Sequence, residues 1–128
     1  MHPALKNETA MLQAIDHVQI AMPVGGEDVA RSYYDKLLGL GEVPKPPKLA
    51  VRGGCWFESG SIRLHLGVEK DFRAAKKAHV AINVRGGQDL RRKLTTAGFM
   101  VKDDDEIDGV VRFFSEDPFG NKIEFIEI

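Results

Sequence analysis

The sequence predicts an α+β protein built from two tandem βαβββ modules, a curved sheet with helices on its outer face. Three observations lead there. Ile15 to Met22 (IDHVQIAM) and Ala78 to Val84 (AHVAINV) both alternate apolar residues at strand spacing. Each carries a histidine at the same place, His17 and His79, and each is followed by a glycine pair and a helix-spaced segment. Each half then closes in short strands ending in a hairpin. Two long stretches with one element order mark an internal repeat, and this order implies layered α+β packing. Module one spans residues 15–66, a linker 67–77, and module two 78–128.

Composition sets wide bounds. The 128 residues suit one domain with a real core. Net charge is −1, from 18 basic and 19 acidic side chains, so nothing points to nucleic acid or a membrane surface as partner. The single cysteine, Cys55, leaves no internal disulfide and fits a reducing compartment. No apolar run reaches the length of a bilayer span. Residues 1–14 (MHPALKNETAMLQA) lack the basic-then-apolar layout of a signal peptide. They are expected to form a loose or weakly helical arm on a cytoplasmic protein.

In chain order, Val18, Ile20 and Met22 share one strand face, and His17, Gln19 and Ala21 the other. Glu27 to Leu38 has helical spacing: Val29, Tyr33 and Leu37 step by four beside Ala30, Tyr34 and Leu38. Glu27 and Asp28 suit its positive end, and Gly39 its stop. Gly41 to Lys48, rich in proline, reads as an irregular extended connection. Leu49 to Glu58 is a strand region broken at Gly53-Gly54. In Ser61 to Leu66, Ile62, Leu64 and Leu66 face a core, and Arg63 and His65 face away. The second half repeats this with a helix over Gln88 to Ala97, a short strand over Phe99 to Lys102 and an acidic run, Asp103 to Asp108, read as a solvated loop. Val110 to Ser115 and Lys122 to Ile128 flank Asp117-Pro118-Phe119-Gly120, whose proline and glycine suit a turn.

Glu124 is a carboxylate among large apolar residues of the last strand, so it must be solvated, paired or bound to a metal. With His17 and His79 it makes a two-histidine, one-carboxylate set of the kind that holds a divalent transition metal and leaves positions open. Mn, Fe, Co, Ni and Zn all suit such donors. An open metal polarises or chelates oxygens of a substrate. Each histidine alone also fits a hydrogen-bonded strand residue; the matched repeat positions argue for the set. Arg63 and Arg112 are candidates to hold an anionic substrate group through their forked donors. His65 is a candidate further ligand or general base, and Trp56 a candidate pocket wall. Cys55 reads as packing. No phosphate-cradling glycine loop, nucleophile elbow or CxxC is present.

On IDHVQIAM, YYDKLLGL, AHVAINV and the closing EDPFGNKIEFIE, the chain resembles the vicinal oxygen chelate superfamily. That group includes glyoxalase I, extradiol dioxygenases, fosfomycin-resistance thiol transferases and bleomycin-resistance proteins. The resemblance covers residues 15–128 and implies the glyoxalase-like fold. It puts His17, His79 and Glu124 on the shared metal positions, and it implies a homodimer whose modules are in many relatives exchanged between chains. Glyoxalase I is expected to place a fourth ligand, Glu or Gln, where this chain has Arg63, which cannot ligate. The expectation is a metal-dependent enzyme acting on a small oxygenated substrate, with lyase, thiol-transferase and dioxygenase chemistry all open. The alternative is a non-catalytic protein that binds and sequesters an antibiotic or metabolite.

Overall fold

Among the described residues, eight strands and three helical segments fold into a pair of four-stranded sheets over one core. The computed structural model describes residues 10–105 and 107–128. Residues 1–9 of the expected arm lie outside these, and residues 10–16 are exposed. Module one runs β1 (Val18–Met22), helix α1 (Glu27–Ala30), a π-helix (Arg31–Leu37), β2 (Gly41–Val43), α2 (Pro47–Ala50), β3 (Cys55–Ser59) and β4 (Ile62–Val68). Module two runs β5 (Val80–Val84), α3 (Gly87–Thr96), β6 (Lys102–Asp103), β7 (Arg112–Glu116) and β8 (Lys122–Glu127). The sheet orders, β1-β4-β3-β2 and β5-β8-β7-β6, are the same pattern twice. In each, the first strand lies parallel to the last. The two sheets stay separate, with no ladder between them among the described residues. No helix among the described residues is long and apolar enough to cross a membrane.

Local differences from the sequence reading have physical causes. The first helix winds as α only over its opening turn. Beyond it, Leu38 N–H donates to the Tyr33 carbonyl at 2.9 Å, five residues back, as in a π-helix. The wider winding turns the adjacent Tyr33 and Tyr34 both inward, at 2% and 0% exposure. In the proline-rich connection, Gly41–Val43 pairs with β3 as an edge strand, and Pro47 begins α2, where its fixed φ suits a first helical turn. Strand β3 therefore starts only at Cys55. The strand expected over Phe99 to Lys102 shrinks to β6, because the Phe99 ring packs on Tyr33 at 4.9 Å instead.

One core holds Met22, Tyr33, Tyr34, Phe57, Leu64 and Leu66 from module one with Leu94, Phe113, Ile123 and Phe125 from module two. The DPFGN turn joins the halves. Asp117, 3% exposed, accepts from Tyr34 Oη at 2.6 Å, Asn121 Nδ2 at 3.0 Å, and the backbone N–H groups of Phe119 and Asn121 at 2.9 and 2.8 Å. Asn121 Nδ2 also donates to the Ala21 carbonyl on β1 at 2.9 Å. The helix-covered faces of both sheets are thus turned toward a shared interior. The opposite faces carry the candidate site residues.

Candidate functional site

On module one, β4 lies between β1 and β3, with His65 opposite Gln19 on one side and Trp56 on the other. Trp56 and His65 stack with ring centroids 4.2 Å apart and 7° between planes. His65 and His17 stack in turn at 4.2 Å and 19°. Although on the outward face, His65 is only 6% exposed. That burial, together with the neighbouring His17, lowers its pKa from the ordinary value. His17 Nδ1 meets Asp16 Oδ2 at 2.8 Å, and Arg63 Nη1 donates to Asp16 Oδ1 at 3.2 Å. The hydrogen bond with His17, helped by Arg63, holds the Asp16 carboxyl below its usual range. Arg63 is therefore engaged with Asp16. Sequence reasoning passed over Asp16; its only signal was an acid next to a strand-leading histidine.

On module two, Glu124 on β8 lies between Ala81 of β5 and Phe114 of β7. His79 Nε2 faces its Oε1 at 3.0 Å, and Arg112 Nη1 donates to its Oε2 at 2.7 Å. Burial pushes the Glu124 carboxyl up, but Arg112 and His79 outweigh it and the net shift is downward. Arg112 is held on its other sides by Asp104 Oδ2 at 3.1 Å and the Asp105 carbonyl at 3.1 Å. The acidic run expected to be a solvated loop is thus partly a tether for this arginine. With its donors so committed, Arg112 buttresses Glu124, and a substrate anion would have to compete for it. Phe114 sits beside the pair, with the His79 ring at 5.6 Å and Lys122 Nζ 3.9 Å from its centroid.

The donor chemistry fits a metal on this half. His79 Nδ1 lies 2.9 Å from the Lys77 carbonyl, which can only accept. Its Nε2 faces a carboxylate, also an acceptor. Both ring nitrogens thus meet acceptors, and a divalent ion between Nε2 and the carboxylate would satisfy both. A carbonyl behind one nitrogen and an arginine behind the carboxylate are the outer contacts that orient metal ligands. On the other half, His17 Nδ1 is taken by Asp16 and Nε2 meets no partner among the described residues, so the ring is held from behind in the same way.

The structure brings His79, Glu124 and Arg112 together, and separately His17, His65, Trp56 and Arg63. It does not bring the two groups together in one chain. Among the described residues no three His, Cys, Asp or Glu side chains gather as a metal site. The core residues of both modules form one cluster, and the two groups lie on strand faces that point away from it. A cleft of about 340 Å³ opens beside Asp16, His17 and Arg63 and is walled by Val80 and Ile82; it includes neither His79 nor Glu124. Cys55 is 1% exposed, and burial raises its thiol pKa to about 11, so it is packing and no nucleophile.

A scan against protein-family models gives no match, and neither does a search of the curated proteins. Solved structures do match. A glyoxalase family protein from Bacillus anthracis is 47% identical over 92% of this chain and 97% of its own, with a TM-score of 0.87. FosX, a fosfomycin resistance protein from Listeria monocytogenes, superimposes at a TM-score of 0.71 over 92% and 95% of the two chains, with 10% identity. TnmS3, an antibiotic binding protein from Streptomyces sp. CB03234, does so at 0.68 over 89% and 97%, with 18% identity. Paired βαβββ modules with one strand order repeated in both sheets define the class. The chain belongs to the glyoxalase family, within the vicinal oxygen chelate superfamily.

Proposed function

We propose that this chain is a metal-dependent enzyme acting on a small oxygenated substrate. Its divalent transition metal is held by His79 and Glu124 of one copy and His17 of a second, in a homodimer. The observation that carries the reading is the His79–Glu124 pair at 3.0 Å, backed by the Lys77 carbonyl and Arg112. A divalent ion there supplies Lewis acidity toward neighbouring substrate oxygens. Arg112 keeps Glu124 ionised and aimed, and Asp16 keeps His17 in the tautomer with Nε2 open. The engaged arginines put an anionic substrate group in competition with Asp16 for Arg63.

Elemental analysis of purified protein tests this. About one divalent transition metal per chain is expected, lost in Glu124→Ala, His79→Ala and His17→Ala. Mixing the His17→Ala and Glu124→Ala chains should restore metal binding, because a mixed dimer rebuilds one intact site. No restoration, in a mixture shown to exchange subunits, would rule out the shared site.

One observation favours a second reading. Arg112 already satisfies Glu124 with a cation at 2.7 Å, so this half needs no metal for charge balance. A protein that sequesters a small molecule without turnover would have that property, and TnmS3, of like fold, is an antibiotic binding protein. Full occupancy by a ligand in metal-stripped protein would select it.

A further inference from the structure

We propose that Trp56, His65 and the Asp16–Arg63 pair are positioning residues that together fix the ring of His17. The purpose of the device rests on the metal reading above; its geometry does not. Three strands supply it. Trp56 on β3, His65 on β4 and His17 at the head of β1 stand in one column, with successive centroids 4.2 Å apart. His65 is its middle ring and is covered on both faces, which is why an outward-facing histidine is 6% exposed. It contributes its faces. Asp16 then fixes rotation within the column by holding His17 Nδ1 at 2.8 Å, and Arg63 anchors Asp16 at 3.2 Å.

Stacking sets the plane of the His17 ring, and the carboxylate sets its rotation within that plane. A histidine with 43% of its side chain exposed would otherwise sample several rotamers. With both constraints, one edge remains unpartnered among the described residues, and it carries Nε2. Arg63 and His65, read from sequence as substrate holder and catalytic base, thereby act together to present that nitrogen in a single direction.

Two measurements on the full chain test this. In metal-free protein the His17 ring protons should be displaced upfield by the stacked neighbour. His65→Phe should keep that displacement and His65→Ala should lose it, with the His79 resonances as a control for folding. If His65→Ala does not fold, Trp56→Ala, which strips the outer end of the column, is read by the same resonances. Trp56 is the only tryptophan, so a cobalt(II) titration followed by its emission reports ion binding at the column. His65→Ala should weaken cobalt binding roughly 10- to 100-fold, the usual cost of losing an outer contact. His65→Phe should stay close to wild type, and His17→Ala should abolish the quench. His65→Phe as damaging as His17→Ala would make His65 a ligand and overturn the proposal. Unchanged His17 shifts in His65→Ala would overturn it as well. A wild type that binds no cobalt sinks the metal reading alone, and the ring shifts still decide the column.

Discussion

Asp117→Ala should destabilise the chain more than any surface change, because one carboxylate ties the closing hairpin to module one. Its two oxygens accept four hydrogen bonds, from Tyr34 Oη, Asn121 Nδ2 and two backbone N–H groups. Hydrogen bonds to a charged group contribute about 1.5–3 kcal/mol each, so a plain total is about 6–12 kcal/mol. Two terms reduce it. The variant no longer buries a carboxylate that is 3% exposed, and the turn N–H groups can reach water once the turn loosens. A net loss of about 3–5 kcal/mol remains, at the high end for single substitutions. Urea unfolding at pH 7 and fixed protein concentration measures it. With a slope of about 2 kcal/mol per molar, the midpoint should fall by about 2 M with the slope unchanged. Asp117→Asn, which keeps one acceptor oxygen, should lose about half as much. A change under about 0.5 kcal/mol in Asp117→Ala would refute the claim that this cluster docks the modules.

Two further outcomes follow from local geometry. Gly54→Ala should cost about 3 kcal/mol or more in the same assay, since φ is +85° and a Cβ would run into the Leu66 carbonyl oxygen. Gly25→Ala, at φ +82° with open space around it, should cost only about 1–2 kcal/mol. Stability should also fall on acidification in two windows. The unfolded chain takes a proton on His65 near the ordinary 6.5 that the folded state resists, so stability drops as pH falls from 6.5 toward the lowered folded value. Glu124, lowered from 4.5, adds a second loss as pH falls from 4.5 through its folded value. His65→Phe should remove the first window in metal-free protein and leave the second.

The repeat, the strands and their inward faces were legible because alternation with a period of two survives in the bare sequence. Ile62, Leu64 and Leu66 differ visibly from Arg63 and His65. The π-helix was not legible: rows stepping by four, such as Val29, Tyr33 and Leu37, look the same in either winding. Helix α2 was hidden among prolines, with Pro47 as its only signal. At the site, the matched histidines led to His17 and His79, and the misplaced acid led to Glu124. What escaped was which partner each cation had chosen. Arg63 and Arg112 looked free for a substrate because Asp16 and Asp104 reach them across strands and from a loop. Linear pattern does not record such pairings. Nor does it tell that both inner faces share one core and that the two halves of the donor set lie on faces pointing away from it.

The π-helical stretch Arg31–Leu37 has an evolutionary consequence. Tyr33 and Tyr34 each hold something: the Tyr33 ring lies against Phe99, and Tyr34 Oη is bonded to Asp117. Ordinary α winding advances about 100° per residue. Deleting one residue there would let the wide turn close to α, which cannot turn both adjacent tyrosines inward, and one tether or the other would break. Substitutions can therefore accumulate at Ser32 or Lys36 while the residue count between Ala30 and Leu38 stays invariant, and descendants of this chain should vary in letters there but not in length.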